Sequence, residues 1–586
     1  MTIESESNLD NLPDDVLALI FRRLELKDLI GLKCVARGIA ERVDGLGIPL
    51  YLSLHRQSHC TASPPIHQWA PLDIVRYNHR INRSLASHTL HALQIVPEWP
   101  QSVIPALEIT EDQLVLGVGS KILIHPLVHS SSGKSRAGCG NSSGSGGKVI
   151  DRSIEYVIED RTKKYQGGKS DIVGIVPISS IKNDFIVAQF DGTIQRVALP
   201  QLVHDDHNIE ADNRDRNTSQ ANISPRMKAR YSSDFSLGHG RISTQGHRES
   251  INTLVGTDDG ARFMSTSISG KVDIYSTHSP WVEPTSFQLK SRAWSSLLSP
   301  TNALLGIQGS IQLYPICPTG AVLEDHKRKL IGPETPLLSS PYSLHLPTSS
   351  TSIPTSSSTS GQSSHNPNIL LSGWYDSHIR LHDLRSSSPL PTTQFVDPYT
   401  WSDNSAYYST TYIGEHHIAG GNSKHGTVSF FDLRNPTSSL NYSNPTNDQN
   451  QGQGHRGNSS SNWSCFSPGG KGSPVYALKS DNGILYGTTE RRLFCLTFNG
   501  QGSHKNDLIT SNLENAMKES YYLRKNKNKN GRYVPNGYKG RGGKWTWTVK
   551  YDNDHDELGG MREYKGARGY EHRSRYIDLF DSLEPV

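Results

Sequence analysis

Two short motifs in this sequence match patterns that carry chemistry in enzymes. Residues 140–144 (GNSSG) fit GxSxG, the turn that presents a nucleophilic serine, and residues 452–457 (GQGHRG) fit GxGxxG, a turn that cradles phosphate groups. Both kinds of site need a strand before the motif and a helix after it. Each motif lies instead in a stretch rich in Ser, Gly and Asn, so we expect neither to act in catalysis or cofactor binding.

Residues that ligate metals are present but are badly spaced for a metal site. The chain has 25 His and 6 Cys, yet it contains no HExxH and no CxxC motif. Such spacings bring metal ligands together, and closely paired cysteines are also the mark of a small disulfide-stapled domain. We therefore predict no metal, no cofactor, no disulfide framework and no catalytic residues, that is, a protein that is not an enzyme.

Charge and hydropathy restrict the partners and the compartment. Lys and Arg total 60 against 56 Asp and Glu, so the net charge of +4 excludes a polyanion-binding composition for the chain as a whole. The acidic N-terminus lacks the basic and apolar regions of a signal peptide, and no apolar run reaches about 18 residues. We expect a cytoplasmic and/or nuclear protein without a membrane partner.

Residues 12–51 show a helical periodicity. Pro13 suits the first position of a helix, where its missing N–H is harmless, and Asp14 and Asp15 favour the positive end of the helix dipole. A second helix is predicted to open at Asp28, and Gly45 and Gly47 to close the segment. One apolar face is predicted for the first helix, formed by Val16, Leu17, Ile20, Phe21 and Leu24. About forty residues cannot build a sufficient core alone, so this face predicts a docking surface.

This segment resembles an F-box. The matching residues are Leu12, Pro13, Asp15, Leu17, Ile20, Phe21, Leu24, Asp28, Leu29, Leu32, Val35 and Arg37, whereas Ile39 stands where the family usually has Trp. The resemblance implies binding to the Skp adaptor and, through it, to a cullin–RING ubiquitin ligase. The implied Skp-binding residues are Leu12, Pro13, Leu17, Ile20, Phe21, Leu24, Leu29, Leu32 and Val35. The alternative is a helical cap that packs on the rest of the chain, which would leave Leu17 and Phe21 protected.

The remainder of the chain repeats one β-hairpin pattern seven times. Each unit has an apolar run, a polar turn and an alternating strand, as in 114–127, 185–199, 262–275, 303–316, 369–385, 417–434 and 484–498. Such hairpins hide both faces when they stack around an axis. The window 372–385 (SGWYDSHIRLHDLR) resembles a WD40 repeat, and residues 426–434 are similar to it. We predict a seven-bladed WD40-like β-propeller, with an unrelated β-sandwich as the alternative.

The fold class is therefore α+β and multidomain, with a small all-α F-box of three helices before an all-β propeller. The boundaries we predict are a flexible N-terminus at 1–10, the F-box at 11–55, a linker at 56–105, the propeller at 106–498 and a basic tail at 499–586. Disordered insertions are expected near 130–148, 204–250, 349–367 and 435–472, where Ser, Asn and Gly dominate. In the tail, residues 544–551 alternate as a strand that could close the ring.

These features lead to a hypothesis for function. The chain is expected to be the substrate-recognition subunit of a Skp–cullin–F-box ubiquitin ligase, whose propeller binds a target protein. Arg196, Trp374 and Arg380 are the candidate target-binding residues. One alternative is a propeller scaffold outside any ligase. Another is an RNA-associated module that uses the basic tail, although a solvated tail is the favoured interpretation of that segment.

Overall fold

The structure is a computed structural model, and all structural statements concern the residues that it describes. The described residues are 12–54, 71–87, 89–95, 99, 102–110, 113–129, 148–150, 154–157, 168–178, 184–198, 226–228, 230–238, 249–277, 283–317, 320–332, 339–347, 368–397, 405–414, 416–424, 426–434, 462–467, 473–481, 483–498, 546–551 and 561–562.

The first described segment is a small helical head. It consists of α1 (Asp14–Phe21), α2 (Leu26–Lys33), α3 (Arg37–Arg42), a π-helical turn (Val43–Gly47) and α4 (Ile48–Leu54). The two aspartates occupy the first turn of α1, as predicted, but the helix begins at Asp14, so Pro13 is its N-cap and not its first helical residue. The second helix begins earlier than predicted, because Glu25 and Asp28 form a capping box that supports a start at Leu26.

The glycines near residue 45 do not end the helical segment. The backbone continues through the π-helical turn into α4, where the sequence predicted closure. Gly47 lies against the side chains of Phe21 and Leu29, so a side chain at this position would meet the core of the head. The lack of a Cβ therefore serves close packing here rather than termination.

The core of the head is formed by its own helices and by the start of a later helix, which buries Val75 in it. Leu17, Phe21 and Leu29 are almost completely buried. They belong to one cluster with Ile39, Val43, Ile48, Leu52 and Val75. Because each buried aliphatic or aromatic side chain contributes about 1.5–3 kcal/mol, this cluster stabilises the head without a partner protein.

A long helix connects the head to the β-domain. This helix, α5 (Pro71–Ala86), contributes Val75 to the core of the head. Between two and ten residues later, Tyr77, Ile81 and Leu85 are buried in a cluster with residues of the propeller. The segment predicted as a linker thus contains a helix that is packed at both ends.

The β-domain contains seven sheets. The first strand in the chain, β1 (Thr89–Gln94), belongs to the seventh sheet. The strands of the first three sheets are β2 (Ala106–Ile109), β3 (Gln113–Val118), β4 (Lys121–His129), β5 (Lys148–Ile150), β6 (Ile154–Val157), β7 (Ile172–Pro177), β8 (Asp184–Gln189), β9 (Thr193–Ala198), β10 (Arg226–Lys228), β11 (Arg230–Gly238), β12 (Ile251–Gly256), β13 (Arg262–Ser267), β14 (Lys271–Ser276) and β15 (Thr285–Gln288).

The remaining strands are β16 (Ser295–Leu298), β17 (Asn302–Ile307), β18 (Ser310–Pro315), β19 (Arg328–Leu330), β20 (Pro341–His345), β21 (Ile369–Trp374), β22 (His378–Asp383), β23 (Thr393–Val396), β24 (Tyr407–Ile413), β25 (His417–Asn422), β26 (Thr427–Asp432), β27 (Trp463–Phe466), β28 (Val475–Asp481), β29 (Ile484–Thr489), β30 (Leu493–Thr497), β31 (Thr546–Tyr551) and β32 (Met561–Arg562).

The seven sheets form a closed propeller. The first strand of each blade contacts the first strands of both neighbouring blades, and β28 of the seventh blade contacts β2 of the first. These seven strands therefore line a central channel. The prediction of a seven-bladed propeller is confirmed.

The ring is closed by an N-terminal strand. β1 pairs antiparallel with β30, so a strand that precedes the first blade completes the seventh. The tail segment predicted as a closing strand does form β31, but it pairs with the outer edge of β1. Closure by β1 joins the two ends of the propeller chain, because its partner lies about 400 positions later in the sequence.

The core of the propeller lies between adjacent blades. Val115 and Ile122 of the first blade, for example, pack with Ile172, Phe185 and Val187 of the second. Strands β3, β8, β25 and β29 are buried along their whole length, as expected for strands covered on both faces. Most of the predicted insertions lie outside the described residues, but β11 falls within the predicted insertion at 204–250 and forms the outer strand of the second blade.

Candidate functional site

The outer surface of the head is unusually apolar for a small helical unit. Half of the exposed large apolar side chains among the described residues belong to it, namely Val16, Leu19, Ile30, Val35 and Leu54. Leu19 on α1 is 62% exposed and Val35, in the turn between α2 and α3, is 69% exposed, although polar side chains are usual at such solvated positions. An apolar surface of this kind favours contact with another protein.

The predicted adaptor-binding residues divide into three groups. Leu17, Phe21 and Leu29 lie in the core of the head and offer no surface to a partner. Four residues are half-buried at the edge of that core, namely Leu12, Ile20, Leu24 and Leu32. Only Pro13 and Val35 are exposed.

The sequence analysis selected Val35 but missed the other four exposed apolar side chains of this surface, Val16, Leu19, Ile30 and Leu54. It placed Val16 on the same apolar face as Leu17, and it did not select Leu19 or Ile30. Val16 and Leu19 are three residues apart and so lie on one side of α1. The sequence did carry a signal for these residues, because an apolar residue that lies off the inward face of an amphipathic helix indicates an exposed apolar side chain.

The protection of Leu17 and Phe21 does not identify a cap on the propeller. The side chains that cover them come from α2 to α4 and from Val75 of α5, all close in sequence. The propeller meets α5 farther along, at Ile81 and Leu85. The helical head therefore has its own core and keeps its outer apolar surface.

The three candidate target-binding residues of the propeller make contacts inside their own blades. Arg380 is 2% exposed and donates two hydrogen bonds to Asp376, at 2.9 and 2.8 Å. Its guanidinium also lies 4.8 Å from the ring centroid of Trp374, which is completely buried. Arg196 pairs with the buried carboxylate of Asp184. Because their polar groups are engaged within a blade, these residues fix the blade and offer little to a target.

A row of aromatic side chains lies at one end of the central channel. We call Trp294, Tyr342, Tyr408 and Tyr476 the aromatic arc. Their successive ring centroids are 5.0, 5.1 and 5.7 Å apart, so each ring contacts the next across four neighbouring blades. The exposed Tyr375 extends the arc sideways, with its ring 5.9 Å from Tyr342.

The three tyrosines of the arc owe their positions to irregular strand pairing. In β20, β24 and β28 the register with the next strand shifts at the second residue. Tyr342, Tyr408 and Tyr476 are the extra residues at these shifts. A β-bulge redirects the side chain of the extra residue, and here three consecutive bulges bring three phenol rings together. The equivalent residues of the second and third blades are Val173 and Asn252, so the arc covers one side of the channel only.

The arc is charged at its two ends and neutral between them. The Arg292 guanidinium lies 3.3 Å from the centroid of the Trp294 ring, a cation–π contact. At the other end, burial raises the pKa of Tyr476, and Tyr408 and Glu490 add smaller contributions in the same direction. Burial also raises the pKa of Tyr342 and of Tyr408. The phenols are therefore neutral hydrogen-bond donors at physiological pH.

Apart from the aromatic arc, the inner strands of the channel carry an ion pair. Lys479 of β28 donates to both carboxylate oxygens of Glu108 in β2, at 3.1 and 3.0 Å. Burial raises the pKa of the nearby Asp258 carboxyl, and the positive charge of Lys479 opposes that shift. This ion pair joins the inner strands of the seventh and first blades, and so it stabilises the ring where the chain closes.

The described residues contain neither a metal-ligating cluster nor a membrane-spanning helix. The described part of the chain holds no group of three or more His, Cys, Asp or Glu side chains able to share a metal ion. Its helices include none that is long and apolar enough to cross a membrane. Cys465 and Cys495 are buried thiols, and burial raises the pKa of Cys495 to about 12, so neither is a reactive nucleophile. The GxSxG and GxGxxG motifs and the basic residues 525–544 lie outside the described residues.

Comparison with known proteins found one family match and several similar solved structures. The F-box domain family matches residues 9–49. Among curated proteins there is no match. Similar solved structures are the WD40 β-propeller domain of Doa1 (10% identity, TM-score 0.39, covering 69% of this chain and 96% of that one) and a computationally designed protein, Ika8 (13%, 0.35, 69% and 99%). A third is Chaetomium thermophilum Sqt1 bound to the N-terminus of ribosomal protein L10 (12%, 0.36, 67% and 83%).

The molecule is thus an F-box domain followed by a seven-bladed propeller with WD40 propellers among its structural neighbours. F-box domains generally bind Skp adaptors, and an F-box with a propeller is an architecture typical of adaptor proteins that carry out no catalysis themselves.

Proposed function

We propose that this protein is the substrate-recognition subunit of a Skp–cullin–F-box ubiquitin ligase. The observation that carries the proposal is the combination of an F-box domain at residues 9–49 with an apolar outer surface on the head. The head would bind the Skp adaptor and, through it, a cullin. The propeller would bind the target protein that receives ubiquitin.

The adaptor would bind the outer apolar surface rather than the core residues. Val16, Leu19, Ile30 and Val35 are exposed, and their burial under an adaptor would remove apolar area from water. Leu12 and Pro13 directly precede α1, and the half-buried Ile20 lies within it. Leu17, Phe21 and Leu29 would act indirectly, because they hold α1 and α2 in place.

The packing of α5 supports a ligase geometry. Val75 fixes one part of α5 in the head, while Ile81 and Leu85 fix the next turns against the propeller. Gly483 lies directly under Ile81, where a Cβ would clash, so helix and blade are in close contact. A rigid connection holds a bound target at one orientation to the adaptor, which raises the effective concentration of its lysines at the ubiquitin-charged enzyme.

The chain would contribute position rather than chemistry. The polar groups described in the channel are an ion pair, Lys479 with Glu108, and phenol rings in contact with one another. The target would lie at the aromatic arc, where four aromatic rings from neighbouring blades form one row. We place the protein in the cytoplasm and/or the nucleus, where ubiquitin ligases of this class act.

Binding of the full chain to a purified Skp adaptor tests the proposal. We expect Leu19→Asp to weaken adaptor binding at least about tenfold, because it places a charge in the apolar contact. Ile104→Asp is the matched control, since Ile104 is 68% exposed and lies outside the head whereas Leu19 is 62% exposed. Phe21→Asp is unsuitable, because it would unfold the head. Unchanged binding by Leu19→Asp and Val35→Asp, or no binding by the unaltered chain, would show that the proposal is wrong.

A further inference from the structure

We infer that the aromatic arc recognises a proline-rich segment in the extended polyproline II conformation, with an acidic residue placed at Arg292. This inference rests on the proposed function, in which the propeller holds a target protein, and it specifies the chemistry of that target. It follows from three properties of the arc: the spacing of its rings, its hydroxyl groups and the charges at its ends.

The spacing of the rings favours a ligand that lies across the row of rings over one that inserts between two of them. Centroids 5.0 to 5.7 Å apart put neighbouring rings in van der Waals contact, so no slot opens between them. A cage for a methylated lysine needs rings that stand apart and surround the cation. A continuous aromatic surface instead suits proline rings, which stack on aromatic side chains and lose little entropy on binding.

The hydroxyl groups of the arc match the backbone of such a segment. Among the described residues, the phenol groups of Tyr342, Tyr408 and Tyr476 contact other rings but make no hydrogen bond. They remain protonated, since burial raises the pKa of each. A polyproline II helix has no internal hydrogen bonds, so its carbonyl groups are free to accept from a row of donors.

The charges at the ends of the arc set the flanking residues. Arg292 is held over Trp294 by the cation–π contact, and it has no ion pair or hydrogen bond among the described residues. The edges of its guanidinium are therefore available for a carboxylate, which they match in geometry. Glu490, near Tyr476, gives the opposite end of the arc a negative charge. A segment with acidic residues at one end and basic residues at the other complements both.

A labelled synthetic peptide provides the test. The probe is a capped decapeptide of two lysines, six prolines and two aspartates, whose proline part spans roughly 19 Å. With the full chain we expect measurable binding by fluorescence anisotropy. Replacing the prolines by alternating glycine and serine, or the aspartates by lysines, should weaken binding at least about tenfold.

Variants of the arc distinguish recognition from folding. Tyr408→Ala should weaken binding of the probe at least about tenfold, and Tyr408→Phe, which keeps the ring, by several-fold. Arg292→Ala should weaken binding and Arg292→Lys should partly restore it. Val173→Ala is the control, because Val173 occupies the equivalent position of a blade outside the arc. Equal binding of the glycine–serine peptide, or no effect of Tyr408→Phe and Arg292→Ala, would overturn the inference.

The outcomes separate this inference from the proposed function. A chain that binds the Skp adaptor but not the proline peptide would overturn the inference and leave the ligase proposal standing. A chain that binds the peptide at the arc but not the adaptor would uphold the arc chemistry and show that the ligase role is wrong. Tighter binding of a proline-free phosphopeptide than of the probe would also overturn the inference that the arc recognises a proline-rich segment.

Discussion

The helical head and the aromatic arc are both surfaces for another protein, but they are built in different ways. The head gathers its exposed apolar residues and most of its core from one stretch of about forty residues, and α5 adds Val75 to the core. The arc combines residues from four blades, and Tyr342 and Tyr476 are more than a hundred positions apart in the sequence. A local surface can therefore be read from a helical pattern, whereas a distributed surface exists only after the ring has closed.

The comparison also concerns which residues support a site and which contact a partner. In the head, three of the residues that match the family pattern, Leu17, Phe21 and Leu29, lie in the core, and four more lie at its edge. In the propeller, the window closest to a WD40 repeat contains Trp374 and Arg380, which again are buried. In both regions the strongest sequence signal marks the framework of the fold, and the contact surface is formed by less regular positions.

The largest expected effect is on the framework of the propeller. Replacing Arg380 by Met should lower the free energy of unfolding of the propeller by about 4 kcal/mol, because it leaves the carboxylate of Asp376 without its two charged hydrogen bonds. The free energy is measured by urea denaturation followed by Trp fluorescence. The double variant Arg380→Met with Asp376→Asn should recover part of the loss. A loss below about 1 kcal/mol would mean that Arg380 is not a framework residue.

A somewhat smaller effect is expected in the head, where it should separate inner from outer residues. Phe21→Ala should destabilise the head by about 3 kcal/mol through loss of burial and a cavity, whereas Leu19→Ala should change stability by less than about 0.5 kcal/mol. Hydrogen exchange of the amides at 12–54 measures this difference. The propeller amides should be unaffected in both variants. Similar exchange in the two variants would contradict the division into core and contact residues.

The smallest effect concerns pH and should distinguish the two regions. Burial lowers the pKa of His125 in the first blade to about 4. The folded state therefore keeps His125 neutral while the unfolded chain binds a proton below about pH 6.5, so stability is full above that pH and falls as the pH drops toward 4. From pH 7 to 5.5 this residue should reduce the stability of the propeller by about 1 kcal/mol.

The control for this prediction is His125→Gln, which should remove that part of the pH dependence. Burial also lowers the pKa of His382 and of His417 to about 4, so the propeller should retain a weaker acid sensitivity in this variant. Residues 12–54 contain no histidine, so the head should not share the loss near pH 6. An identical pH profile for the variant and the unaltered chain would contradict the assignment.

Much of the fold was predictable from local patterns. The seven hairpin windows correspond to the second and third strands of the seven blades, because alternation and tight turns are properties of neighbouring residues. The first strands were not predicted, since several are short and irregular at their second residue. The closing strand β1 was assigned to a linker, because its pairing with β30 depends on a segment about 400 positions away.

The candidate site was predictable only in part. The F-box segment was identified, but the division of its apolar residues into inner and outer sets required the packing of α2 to α5 against α1. The arc was missed because its tyrosines are separated by whole blades and lie outside the seven windows. An aromatic residue at the second position of the first strand in three consecutive units was a signal, but its meaning depends on the bulges.

The sequence by itself determined the order of the parts: an amphipathic helical segment with an F-box pattern, seven hairpin units and polar stretches between them. Short-range periodicity specifies these features, because it decides which side chains leave water within one helix or one hairpin. The tertiary structure alone decided that β1 closes the ring, that α5 fixes the head to the sixth and seventh blades and that three bulged tyrosines form one row with Trp294. Those contacts join residues far apart in the chain, and their free energy is gained only when the whole ring assembles.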